Sequence, residues 1–218
     1  MIKKYTVAFL LDKTNLWFES RLRNHQFKLK NKYTFKFFKN PNKIKNQNIV
    51  IPLSYTKILS KSFLKRNDLV INAHASKLPK DQGFAPLQYQ ILKNKNKVYI
   101  SLIKMIKEVD AGPIYFQESF MLNGTELHDE IRKKQGDQIL KILKKFLIKY
   151  PNVKPKKQRG KGNFNKRRSL KTSELNINKS IKQQFNHIRI NDNENYPSFF
   201  NYKGQNYIMK VFKDDEKK

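Results

Sequence analysis

Residues 68–74 read DLVINAH, a short apolar run that finishes on an asparagine and a histidine two places apart. Runs of the same kind stand at 5–11 (YTVAFLL) and 48–53 (NIVIPL), apolar almost throughout, which is the pattern of strands buried on both faces. SYTKILSKSFLKRN lies between the second and third runs, and APLQYQIL (85–92) follows the third; both read as short helices. That alternation predicts an α/β fold with a parallel-dominated, Rossmann-like sheet. Two further strands are expected at 97–105 and 112–120. A long helix should then start from Thr125 as N-cap, carry Leu127, Ile131, Ile139, Leu143 and Phe146 on one stripe, and be closed by Pro151.

Three units follow along the chain: a main domain over 1–151, a basic linker over 152–171, and a small C-terminal extension over 172–218. The linker is glycine-containing and nearly devoid of apolar residues, so it is expected as a surface excursion. NINKSIKQQFNHI suggests a short helix, the alternation over 198–212 around YKGQN a β-hairpin, and KDDEKK a frayed tail.

A chain of 218 residues can bury one good-sized core, and 38% hydrophobic and 12% aromatic residues are enough to fill it. No window approaches the roughly 20 apolar residues of a membrane span, and the N-terminus lacks a secretory cleavage pattern, so a cytoplasmic protein is expected. With no cysteine there are no disulfides or thiolate metal sites, and no metal is expected. The net charge of +30 invites a nucleic-acid reading, but 39 of the 47 basic residues are Lys and 8 are Arg, and Asn is abundant. This is the composition of AT-rich coding, whereas bidentate phosphate and base recognition favours Arg. Direct nucleic-acid binding is therefore disfavoured, although such a surface still attracts a small polyanionic substrate.

The first strand is followed by DKTNLWF, without glycine, so the dinucleotide-binding fingerprint is absent. On a strand, residues i and i+2 face one side, so Asn72 and His74 project together at a carboxyl end, where open α/β sheets bind ligands. Asp110, in the turn EVDAGPIY, is a candidate third member. Histidine can take a proton near neutral pH, a carboxylate can orient it, and a carboxamide can donate to a developing oxyanion. The set suits acyl transfer to an amine that itself attacks. Singly, each residue has a plainer reading: a capped strand end, an ordinary turn aspartate.

Together, Asn72-x-His74, the loop HASKLPKDQGFAP and Asp110 in VDAGPIY resemble the 10-formyltetrahydrofolate-dependent formyltransferases, most clearly over residues 48–150. The end of the chain, with Arg189, Asp192, Tyr196 and Pro197, is similar to the nucleotide-sugar N-formyltransferase subgroup. The resemblance implies a formyl group moved from 10-formyltetrahydrofolate to the amine of a nucleotide-linked amino-deoxy sugar, a 4-amino-4,6-dideoxyhexose. His74 would be the base, Asp110 its orienting partner and Asn72 the oxyanion donor. Ile58, Leu59, Val109 and Gly112 would hold the folate; Trp17, Tyr55, Ser76, Gln82 and Tyr196 would meet the acceptor. The loop departs from the family where Gln82 replaces an arginine and Phe84 an indole, which bears on substrate choice. A homodimer is left open by the sequence, and no membrane partner is expected. The alternatives are a methionyl-tRNA formyltransferase and a basic RNA-binding module without catalysis, which would bind RNA salt-sensitively.

Overall fold

The computed structural model describes residues 4–12, 17–25, 27 and 29–214. Of the sequence expectations, most of the glycine-free stretch after the first strand (13–16) and the end of the charged tail (215–218) lie outside these residues. Strands β1 (Tyr5–Leu11), β2 (Tyr33–Phe38) and β3 (Ile49–Leu53) form a parallel sheet in the order β2-β1-β3, with helix α1 (Glu19–Asn24) between β1 and β2. Helix α2 (Lys61–Lys65) crosses over to β4 (Ile71–His74), and a parallel bridge between Val50 and Val70 brings β4 beside β3. Beyond β4 the direction reverses. After the two-residue strand β5 (Gln82–Gly83) and helix α3 (Pro86–Leu92), β6 (Lys97–Lys104) pairs antiparallel with β4, and β7 (Ile114–Met121) with β6. The parallel, Rossmann-like half anticipated from the apolar runs thus carries an antiparallel flank.

The continuous apolar runs have a direct cause. Val7, Phe9, Leu11, Ile49, Ile51 and Leu53 face the main core, while Ala8, Leu10 and Val50 face a second cluster with Ile44, Phe63 and Val70. Both faces of β1 and β3 are covered, so alternation would have exposed nothing useful. The main core is closed by α4 (His128–Lys149), whose Ile139, Ile142, Leu143 and Phe146 are buried; the Phe146 ring meets Tyr115 of β7 edge-on at 4.8 Å between centroids. The last turn of α4 is tied down by the Tyr33 hydroxyl, which donates to the Leu147 carbonyl at 2.6 Å.

Helix α4 starts later than expected. Thr125 does not cap it: its hydroxyl donates to Asn123, and the first helical residue is His128, preceded by Leu127 whose N–H donates to Glu130. Glu126 does other work. Its buried carboxylate accepts the N–H groups of Asn123 (2.8 Å) and Gly124 (3.0 Å), pairs with Lys134 at 2.5 Å, and lies 3.5 Å from Arg189 at the end of α5 (Ile181–Arg189), the helix of the C-terminal extension. Burial would raise this carboxyl, but Lys134 and the two N–H groups outweigh it and hold the pKa down to about 2. A folded-state pKa below the unfolded value stabilises the protein fully above about pH 4.5 and is lost as pH falls toward 2. Wild type should therefore lose roughly 3 kcal/mol between pH 6 and pH 2 through this group. Glu126→Gln, compared by urea melts at both pH values, should show a correspondingly flatter pH dependence; parallel curves would contradict the assignment.

The segment 152–171 runs over the surface, most of its residues exposed, but it is tied to the body of the chain. Lys156 pairs with Ile114 in both directions, the short strand β8 (Phe164–Asn165) runs parallel to β5, and residues 170–173 form a 3-10 turn. After α5, β9 (Ser198–Tyr202) and β10 (Gln205–Met209) form the expected hairpin, docked through the Leu175 N–H to the Phe199 carbonyl.

Candidate active site

Asn72 and His74 share one face at the carboxyl end of β4 and both line a cavity of about 840 Å³. His74 is 6% exposed, and its Nε2 lies 2.8 Å from the backbone carbonyl of Asp81. A carbonyl oxygen can only accept, so Nε2 carries a hydrogen and the neutral ring has its lone pair on Nδ1. That Nδ1 sits 3.3 Å from Asp110 Oδ1; in the neutral ring neither atom carries a hydrogen to share, so the carboxylate is placed to stabilise a proton arriving there.

Both neighbours of the ring are fixed from the strap over 156–165. Gln158 Nε2 donates to the carbonyls of Asp110 and Gly112, each at 2.7 Å, and the other Asp110 oxygen accepts the Gly83 N–H at 2.9 Å. Asp110 holds this position with a left-handed φ of +54°. Asp81, also left-handed at +59°, donates its N–H to Asn163 Oδ1 at 3.0 Å. Burial would raise the Asp81 carboxyl, but Lys93, Asn163 and Asn165 around it keep it below the ordinary range. The loop leading there is pinned by Ser101, whose hydroxyl donates to the Ser76 carbonyl at 2.6 Å, and by Gln90 and Gln117, which donate to the carbonyls of Ala75 and Leu78.

Of the residues expected around this trio, Ile58, Leu59, Val109 and Gly112 line the cavity, as do Trp17, Tyr55 and Tyr196. Burial, reinforced by the Asp12 carboxylate, pushes the Tyr55 phenol up and keeps it neutral. Gly112 is needed for a reason other than ligand approach: a Cβ there would lie 1.7 Å from the Lys104 carbonyl oxygen. Ser76 and Gln82 are not in the wall. Ser76 is wholly buried with its hydroxyl donating to the Lys80 carbonyl at 2.7 Å, and Gln82 is drawn away into the β5–β8 pairing.

Sequence reasoning missed Asp81, whose part is played by a backbone carbonyl, and Gln158 and Asn163, which sit in a stretch that reads as solvated. It also passed over Arg132, Arg167 and Arg168, all in the cavity wall, the Arg167 guanidinium lying 5.3 Å over the Phe84 ring. The pairing of two adjacent arginines in a lysine-rich chain was the available signal. Among the described residues no His, Cys, Asp and Glu cluster could hold a metal ion, and no helix is long and apolar enough to cross a membrane.

Residues 10–147 match the model of the family described as Formyl transferase. A methionyl-tRNA formyltransferase from Mesoplasma florum is 36% identical over 122 residues, 55% of this chain and 39% of that protein. The chain spans less than half the length of the curated relatives it matches. Among solved structures, methionyl-tRNA formyltransferase from Clostridium thermocellum superposes with a TM-score of 0.81 at 23% identity, covering 98% of this chain and 95% of the other. A sugar N-formyltransferase from Shewanella sp FDAARGOS_354 superposes at 0.72 and 18% identity, over 95% and 97%. At those identities the superpositions establish the fold.

Proposed function

Since the chain belongs to the formyl transferase family, we propose that it moves a formyl group from 10-formyltetrahydrofolate to the amine of a nucleotide-linked amino-deoxy sugar, of the 4-amino-4,6-dideoxyhexose kind. The observation that carries this reading is the convergence of Asn72, His74 and Asp110, from β4 and the β6–β7 loop, on one cavity. The wall fits a reduced folate: Ile58 is 84% and Val109 46% exposed beside the trio, apolar side chains held in water that a flat ring would cover. Bound there, the folate supplies an activated formyl carbonyl.

The chain's own groups then have separate tasks. The Asp81 carbonyl fixes the His74 tautomer, so that Nδ1 takes the proton the acceptor amine sheds as it is acylated. Asp110 stabilises the resulting imidazolium. The Asn72 carboxamide donates to the carbonyl oxygen as it gains charge, a contribution worth roughly 3 kcal/mol for one such donor. No side-chain nucleophile is required. Tyr55, Tyr196 and Trp17 form the acceptor side, with the C-terminal extension supplying part of the wall through Asn191, Asp192 and Asn195.

A second acceptor, methionyl-tRNA, is favoured by the 36% identical relative and by the net charge of +30. The test offers the full chain 10-formyltetrahydrofolate with a panel of nucleotide-linked amino sugars or with charged initiator tRNA, following tetrahydrofolate release and product mass. Formylated amino sugar is the expected product. Turnover with the tRNA alone would replace the acceptor, and no folate turnover with either would remove the activity.

A further inference from the structure

One corner of the cavity sets a guanidinium that has no ion pair among the described residues beside an indole N–H that has no acceptor. Arg132, in the second turn of α4, is half-buried in the wall; its guanidinium lies 4.9 Å over the Trp17 ring, Nη1 donates to Gln135 at 3.1 Å and Nε to His128 Nε2 at 3.4 Å. Among the described residues it has no ion pair. The two carboxylates that bear on it through space are committed elsewhere: Asp129 lies 3.0 Å from His128 Nδ1, and Asp192 accepts the N–H groups of Glu194 and Asn195. Desolvation pushes the guanidinium down to about 10, with partial relief from Asp192 and Asp129. Among the described residues the Trp17 indole Nε1–H is buried and has no hydrogen-bond partner.

Leaving a cation without a counterion and a buried donor without an acceptor both cost stability. The fold places the two side by side in a cavity wall. Arg167 and Arg168 line the same cavity, also without ion pairs among the described residues, and with Lys57 and Lys107 they make its wall strongly basic. With Nε and one Nη1 hydrogen engaged, the outer end of the guanidinium still offers Nη1 and Nη2 hydrogens, which match two phosphate oxygens.

We propose that the Arg132–Trp17 corner binds the phosphoryl groups of the acceptor, as the diphosphate of a nucleoside diphosphate whose far end carries the amino sugar. The nucleotide-sugar identity of that ligand rests on the function proposed above; the phosphoryl chemistry of the corner does not. The same chemistry is offered by the phosphates of an RNA end, and a looser version by the carboxylates of a folate tail.

Trp17 is the single tryptophan of the chain, so its fluorescence reports on this corner directly. The full chain is titrated at constant ionic strength with pyrophosphate, with a nucleoside diphosphate, with a short RNA ending in CCA, and with 5-formyltetrahydrofolate. Pyrophosphate and the nucleoside diphosphate should give saturable changes. Arg132→Gln should weaken both roughly tenfold or more, Arg132→Lys less, and the affinity for 5-formyltetrahydrofolate should stay the same in both variants, which also shows that they fold. The absence of a saturable phosphate response in the unaltered chain overturns the proposal without any variant. So does equal pyrophosphate affinity in Arg132→Gln, a loss confined to the folate, or a response to the RNA alone. If no amino sugar is formylated while Arg132-dependent pyrophosphate binding persists, the proposed function fails and the phosphoryl site stands.

Discussion

Replacing His74 by alanine is expected to lower kcat by roughly 10²- to 10⁴-fold, the usual share of a positioned general base, with little change in the affinity for 5-formyltetrahydrofolate. The ring stands at the end of β4 with its Nδ1 free to accept, and its tautomer is set by a buried contact with the Asp81 carbonyl at 2.8 Å. Deleting it leaves that carbonyl without this donor, at a cost of about 1 kcal/mol in stability, too small to unfold the chain. Activity and folding should separate cleanly. Steady-state kinetics at saturating acceptor, with circular dichroism and folate titration as folding controls, make the measurement. A variant that keeps kcat within a few-fold of the unaltered chain would show that the acceptor amine loses its proton without His74, and the roles of Asp110 and Asp81 in holding the ring would lose their purpose.

The residues that made this site readable from sequence are those whose side chains act and whose spacing follows a strand. Asn72 and His74 are placed together by the two-residue period alone, and their position beyond a buried parallel strand follows from the apolar runs that make β1, β3 and β4. Asp110 is different: 36 residues from His74, it is brought to the ring by the β6–β7 reversal, and its turn setting suggested a candidate that only the resemblance paired with His74. Backbone groups leave no mark in a sequence, so the Asp81 carbonyl could not be found. The strap's contacts were not legible for a related reason. They come from the amides of Gln158, Asn163 and Asn165, in a mostly exposed segment, reaching backbone and carboxylate groups, not from an apolar stripe, so the polarity that signalled solvent also ties the segment to the site. Ser76 shows the converse error, a polar side chain assigned to the ligand that the loop consumes internally. Arg132 belongs to the face of α4 that a hydrophobic stripe leaves unread.

Replacing Gly112 by alanine should be among the most damaging single changes in the chain, although the residue has no chemistry of its own. The added Cβ would stand 1.7 Å from the Lys104 carbonyl oxygen and 2.9 Å from its carbon, both backbone atoms of β6 that no rotamer change can move aside. The Lys104 N–H is bonded to the Pro113 carbonyl at 2.9 Å, so separating the two segments also strains the first rung of the β6–β7 ladder. Overpacking usually costs about 1–3 kcal/mol and more where the backbone must give; roughly 3 kcal/mol or above is expected here, a Tm lower by about 6–12 °C for a chain of this length. Gly160→Ala is the comparison. That glycine has φ +94° but nothing within 4 Å of the added carbon, so only its backbone strain, about 1 kcal/mol, should appear. The clash at residue 112 also pushes against the loop that presents Asp110, whose carbonyl and that of Gly112 share the Gln158 amide. Residual folded Gly112→Ala should therefore turn over more slowly than its folded fraction accounts for, whereas Gly160→Ala should keep full turnover per folded molecule. Equal melting temperatures for the two variants would mean that β6 and the Asp110 loop can part without cost, and that the close approach seen at Gly112 does not hold the carboxylate against His74.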